Sequence, residues 1–163
     1  MKEKATFGAG CFWKTEDEFR QLSGVIDTSV GYMGGHFSNP SYLDVVARIT
    51  GHAEVAQVIY NPTIISYEDL LTKFWQIHDP TSLNRQGADR GEQYRSVIFY
   101  HTPQQREIAL KAKKSLQLSG DYKREIVTEI EPSSDYYLAT QDHQQYLAKK
   151  RQHSLLISAK NST

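Results

Sequence analysis

The chain has 163 residues, with 19 acidic and 19 basic side chains, so its formal charge is zero. That balance leaves no electrostatic footprint for nucleic acid or for an anionic membrane surface, and no apolar run approaches the roughly 20 residues of a spanning helix. With 39% apolar and 23% charged residues, it has the make-up of one globular domain that buries a core without disulfides or metals.

The opening MKEKATFG is charged and passes directly into structure, so no signal peptide is expected. Lys4 to Gly8 reads as a short first strand. Cys11 to Ser23 reads as a helix, with Phe12, Phe19 and Leu22 at helical spacing, acidic residues toward its start and Gly24 just past its end. Val25 to Tyr32 is a second strand. The turn at Asn39-Pro40-Ser41 leads into a short helix through Val46, and His52 to Tyr60 is a third strand stopped by Asn61-Pro62. Ser66 to His78 carries the strongest helix signal. Ser66 and Asp69 have the form of a capping box, Leu70, Leu71, Phe74 and Ile77 make a stripe, and Asp79-Pro80 ends it. Thr81 to Gln93 is a long polar loop. Tyr94 to Tyr100 is a strand, Thr102-Pro103 opens a helix to about Leu118, and Glu125 to Glu131 is a last strand. Asp142 to Lys150 suits a short helix, followed by a loose polar tail over about 150–163.

The order is β-α-β, β-α-β, then α-β. It matches the split βαβ (ferredoxin-like) arrangement, an α+β two-layer sandwich with a mixed sheet and packed helices, in a single catalytic domain spanning 1–163. The pattern alone does not separate this from a doubly wound sheet.

Cys11 is the one cysteine of the chain. It cannot close an internal disulfide, which favours a reducing compartment and makes the cytoplasm the expected location. A cysteine at a helix start meets unpaired N–H groups and the positive end of the helix dipole, both of which favour thiolate, and Lys14 adds a positive charge. Gly8 and Gly10 leave room for the backbone to approach a ligand. A buried structural cysteine is the competing reading. Phe12 and Trp13 point about 100° apart on a helix, so one of them suits a pocket wall beside the thiol, unless both pack under the loop. Glu54 shares a strand face with Ala56, Val58 and Tyr60. A carboxyl on such a face is paired or protonated, which suits a general acid; on an exposed strand end it is only a solvated charge. Asp89 and Tyr94 lie in a loop able to orient a polar group, or simply to sit in solvent. The six histidines show no paired metal-ligand spacing, and Gly8-x-Gly10 lacks the rest of a dinucleotide fingerprint. On the residues alone, a cysteine hydrolase or acyltransferase and a non-catalytic binding module stay open.

Gly10-Cys11-Phe12-Trp13 resembles the signature of the A-type peptide methionine sulfoxide reductases. The likeness continues through Gly31 to Gly35, Asn39 to Tyr42, Gly51 to Glu54, Phe74 to Pro80, Arg85 to Arg95 and Asp142 to Leu147, nearly the whole chain in the family's order. The resemblance implies reduction of the S epimer of methionine sulfoxide, free or in oxidised proteins, a protein-repair activity. It implies Cys11 as the nucleophile, which becomes a sulfenic acid, and Glu54 as the proton donor. Tyr42 and Tyr94 would hydrogen-bond the oxygen, Phe12 and Trp13 would hold the S-methyl group, and Asp89 would bind the substrate's backbone amide side. Many relatives carry resolving cysteines, whereas this chain has no second thiol; Val46 and the tail offer none. Turnover is therefore expected to need an external thiol, from thioredoxin or from glutathione with glutaredoxin, with no bound cofactor and a monomeric enzyme.

Overall fold

The computed structural model describes residues 1–161. Along the chain lie β1 (Glu3–Ala9), α1 (Phe12–Arg20), β2 (Val25–Met33), α2 (Tyr42–Val46), β3 (Ala53–Tyr60), α3 (Tyr67–Gln76), β4 (Arg85–Gln86), β5 (Asp89–Arg90), β6 (Ser96–Tyr100), α4 (Pro103–Leu118), β7 (Glu129–Pro132), β8 (Tyr137–Leu138) and α5 (Tyr146–Asn161). The main sheet runs in the order β7-β6-β1-β3-β2-β8. Its pairings are antiparallel except β6 with β7, so the sheet is mixed. β1 and β2 flank β3, and β3 and β6 flank β1. Both βα-β units are therefore split by a strand from the other, as the split βαβ pattern requires. The expected α+β sandwich is present, and the doubly wound alternative is removed by the antiparallel pairings.

Caps and stripes explain the helices. Ser66 Oγ accepts from the Asp69 N–H at 3.0 Å and the Asp69 carboxylate accepts from the Ser66 N–H at 3.2 Å. The same reciprocal pair opens α2 at Ser41 and Asp44, and Thr102 Oγ1 caps α4 ahead of Pro103. The buried faces of α1 and α3 meet the sheet around Phe7, whose ring stacks on Phe19 at 4.9 Å and leans on Phe74 at 5.3 Å. Alternation along β3 sends Ala56, Val58 and Tyr60 to this helix-covered face. Ala53 and Val55 go to the opposite one, where they pack with Met33, Val97 and Phe99.

Several boundaries differ from expectation. α1 stops at Arg20 rather than Ser23. β3 starts after His52, whose ring Nδ1 instead accepts from the Gly35 N–H. Tyr94 ends a 3₁₀ turn rather than opening β6. The polar loop holds the β4–β5 hairpin. The last strand shrinks to Glu129–Pro132, because the Ile126 and Val127 N–H groups bond the Gln117 side chain and the Pro80 carbonyl instead of a neighbouring strand. The short β8 was not expected.

The larger correction concerns the tail. Residues 150–161, expected as an irregular polar tail, are helical and continue α5; residues 162–163 of the expected tail lie outside the described residues. Ala, Leu, Lys and Arg in this stretch are strong helix formers, and Arg151 forms a two-pronged pair with the Asp17 carboxylate at 2.6 and 2.9 Å. The helix is led in by a latch to α1. Glu16, only 1% exposed, accepts from the Gln145 N–H, the Gln145 side-chain amide and the Thr28 hydroxyl. Glu16→Ala strands those donors, and should lower unfolding stability by about 2 kcal/mol or more. Urea denaturation checks this, and an unchanged midpoint would contradict the latch.

Candidate active site

Cys11 is the N-cap residue of α1, and its side chain is half-buried. Its carbonyl accepts from the Thr15 N–H and hydroxyl, both at 3.3 Å. The glycines before it serve protein neighbours. A Cβ at Gly10, where φ is +95°, would lie 2.9 Å from Gln86 Cβ, and one at Gly8 would lie 2.7 Å from a Val97 methyl. Their room is filled by β6 and the hairpin loop, not kept for a ligand.

The thiol departs from the expected thiolate. Burial, reinforced by Glu54 and Asp89, pushes Cys11 up to about 11, against backbone N–H groups of Trp13 and Lys14 that favour the anion. Lys14 acts through its backbone N–H. The helix start is present, but desolvation and two carboxylates outweigh it.

Glu54 lies on β3 beneath the start of α1 and is 1% exposed. Its Oε1 accepts from the Phe12 N–H at 3.2 Å, and its Oε2 is buried with no partner among the described residues. Burial, with Asp89 adding to it, raises the carboxyl to about 8, despite the opposing Phe12 bond. Glu54 is therefore predominantly protonated at neutral pH, on the buried side of the alternatives its strand position allowed.

Tyr42 opens α2, and Tyr94 ends the 3₁₀ turn after the hairpin. Burial and then Glu54 hold both hydroxyls in the protonated form, Tyr94 up to about 12, and Asp89 and Cys11 act on each. Asp89 is exposed, on β5. Five chain segments thus bring Cys11, Tyr42, Glu54, Asp89 and Tyr94 into one electrostatic neighbourhood. Tyr32, to which the sequence pattern assigns no role, joins it. It pairs with Glu54 in the β2–β3 register, and its hydroxyl is buried without a partner among the described residues. Strand alternation together with Glu54 would have marked it.

The aromatic pair divides as helix geometry requires. Phe12 is buried against Tyr32, with ring centroids 5.6 Å apart. Trp13 is half-buried and stacks on Tyr146 at 3.8 Å. His143, buried between these rings, was also without an assigned role. Among the described residues no cluster of three or more His, Cys, Asp or Glu is placed to hold a metal ion, and no helix is long and apolar enough to cross a membrane.

A half-buried thiol beside a buried, protonated carboxyl, with hydroxyls and aromatic rings around it, makes a thiol-centred site. The chain belongs to the peptide methionine sulfoxide reductase family, whose model matches residues 3–163. It is 65% identical over 148 residues to peptide methionine sulfoxide reductase MsrA 1 of Nostoc sp., covering 91% of each chain. It is 58% identical to MsrA of Methanothermobacter thermautotrophicus, over 90% of this chain and 87% of that one. Mxr1 of Saccharomyces cerevisiae in reduced form superposes with a TM-score of 0.86 at 38% identity, over 93% of this chain and 87% of that one. Mxr1 in complex with Trx2 matches with a TM-score of 0.63 at 29% identity, over 89% and 84%. The resemblance carried by the motifs is borne out, and the protein is an oxidoreductase of the methionine sulfoxide reductase class.

Alkylation tests the thiol's state. Iodoacetamide should label Cys11 at a rate that keeps rising to pH 9 without a plateau, and Glu54→Gln should move the rise to lower pH. A plateau below pH 8 in the native enzyme would contradict a raised thiol.

Proposed function

We propose that this chain reduces methionine-S-sulfoxide, free or in oxidised proteins, to methionine, with Cys11 as nucleophile and Glu54 as proton donor. The observation that carries the assignment is the buried Glu54 carboxyl tied to the first amide of the thiol's own helix. Cys11 Sγ attacks the sulfoxide sulfur as Glu54 passes its proton to the sulfoxide oxygen. Tyr42 and Tyr94 donate hydrogen bonds to that oxygen, Phe12 and Trp13 enclose the S-methyl group, and Asp89 accepts from the substrate's backbone amide. The oxygen moves to the cysteine sulfur. The thiol is oxidised by two electrons to sulfenic acid, the sulfoxide is reduced by two to methionine, and the thiol proton restores Glu54. A first external thiol then displaces water from the sulfenic acid to give a mixed disulfide, and a second releases Cys11 as thiol.

The absence of a second cysteine supports direct reduction by an outside thiol. The yeast relative's complex with Trx2 supports a thioredoxin-type protein as donor, and glutathione with glutaredoxin supplies the same chemistry. A reducing cytoplasm and a monomeric enzyme fit this cycle.

With dithiothreitol as reductant and the two epimers separated, the S epimer alone should turn over, and Cys11→Ser should abolish it. Turnover of the R epimer, or an active Cys11→Ser, would overturn the proposal. After one equivalent of substrate without reductant, a sulfenic-acid trap should label Cys11; methionine formed with no adduct contradicts the intermediate.

The pH profile tests Glu54 separately. Its folded value of about 8 stands above the ordinary carboxyl value of 4.5. The acid form is thus present below about pH 8 and lost above it, so the acid-dependent rate should fall as pH rises through that value. Glu54→Gln should lose roughly a hundredfold or more in kcat at pH 7 and lose the limb near pH 8. A profile identical to the native enzyme would remove Glu54 from the role.

A further inference from the structure

The Asp142–Tyr146 segment is held against the site by side chains that imitate backbone. The Gln144 amide accepts from the Val30 N–H and donates to the Val30 and Ala139 carbonyls, each at 2.9 Å, as a neighbouring strand residue would. The Gln145 N–H is taken by buried Glu16 at 2.8 Å. His143, just before these two anchors, is buried, and its Nδ1 lies 3.0 Å from Trp13 Nε1. An indole N–H only donates, so Nδ1 must accept, and the imidazole carries its proton on Nε2. That proton faces Asp142 Oδ2 at 3.8 Å. The same ring lies 4.6 Å from the Tyr42 ring and 5.4 Å from Phe12. Tyr146 stacks on the Trp13 indole with ring centroids 3.8 Å apart. The Trp13 indole is therefore fixed by one directional bond and one stacked ring, both supplied from the C-terminal segment.

We infer that His143 is a positioning residue for substrate binding: its Nδ1 holds the Trp13 indole in the orientation that encloses the substrate's S-methyl group. The inference rests on the proposed role of Trp13 as part of that enclosure. His143 does not touch the reacting atoms. It acts through Trp13, and its removal should weaken binding of the sulfoxide more than it slows the chemistry. The orientation is built by hydrogen-bond direction, so an acceptor at the Nδ1 position should replace the imidazole, and a side chain of similar bulk without one should not.

The test uses His143→Leu, His143→Asn, His143→Gln and Trp13→Ala in the full chain, with methionine-S-sulfoxide and dithiothreitol. Asparagine places its carbonyl oxygen near the Nδ1 position, whereas glutamine's longer side chain carries its amide toward Nε2. KM for the sulfoxide should rise roughly three- to tenfold in His143→Leu, the loss expected for one net hydrogen bond, with kcat little changed. His143→Asn should return KM toward the native value, and His143→Gln should not. In a Trp75→Phe background, the Trp13 indole ¹H–¹⁵N cross-peak should move in His143→Leu and return in His143→Asn. If His143→Leu keeps the native KM while Trp13→Ala raises it, the inference is overturned and the role of Trp13 stands. If Trp13→Ala leaves KM unchanged, the role of Trp13 fails and the inference falls with it. Should the leucine variant not fold, the Asn–Gln pair decides, and equal KM values for the two overturn the inference.

Discussion

Glu54 is kept out of water at the centre of the sheet, on β3 between β1 and β2, and one of its oxygens is satisfied by the Phe12 N–H. A carboxylate in that position would be costly, so the proton stays on. The first amides of a helix have no partner within it, and α1 has no side-chain cap at Cys11. Phe12 gives its N–H to the acid, and Trp13 and Lys14 direct theirs at the sulfur. The groups that a cap would normally satisfy are thus spent on the carboxyl and the thiol. Acid and thiol are set by one helix start, and a shift of α1 would displace both together.

The neighbours follow from that constraint. Burial holds Cys11, Tyr42 and Tyr94 in their protonated forms, and the Glu54 charge adds to this only once pH rises through about 8. Near neutral pH the pocket is therefore lined by proton-bearing oxygen and sulfur groups and flanked by rings, with Asp89 exposed at the rim. Such a lining suits a dipolar S–O group, a strong acceptor without net charge, better than an anion. A thiol that is not already ionised is also protected from wasteful oxidation between turnovers, since the thiolate is the reactive form.

The legible parts of the sequence were those with local or periodic causes. Ser66 with Asp69, and Thr102 with Pro103, announce their helices in a few residues, and the strand–helix order carries the split βαβ topology. Alternation along β3 placed Glu54 on the apolar face, although only the fold could say that α1 covers it. Tyr32 and His143 escaped because their roles come from contacts across long stretches of chain, through the β2–β3 register and the 130-residue separation of Trp13 from its imidazole partner. The thiol's state was misjudged for a different reason. A helix start is visible in sequence, but the burial and carboxylates that outweigh it are not. The continuation of α5 past Lys150 was missed because its apolar and charged residues alternate without a stripe, while strong intrinsic formers and the Arg151–Asp17 pair support it.

The central claim is that Glu54 is a neutral acid under the thiol at physiological pH. Infrared difference spectroscopy of the native enzyme against Glu54→Gln, across a pH titration, reads this directly. The carboxylic acid C=O band absent from the variant should persist through pH 7 and disappear only near pH 8. Its loss near pH 4.5, where an ordinary carboxyl titrates, would contradict the account.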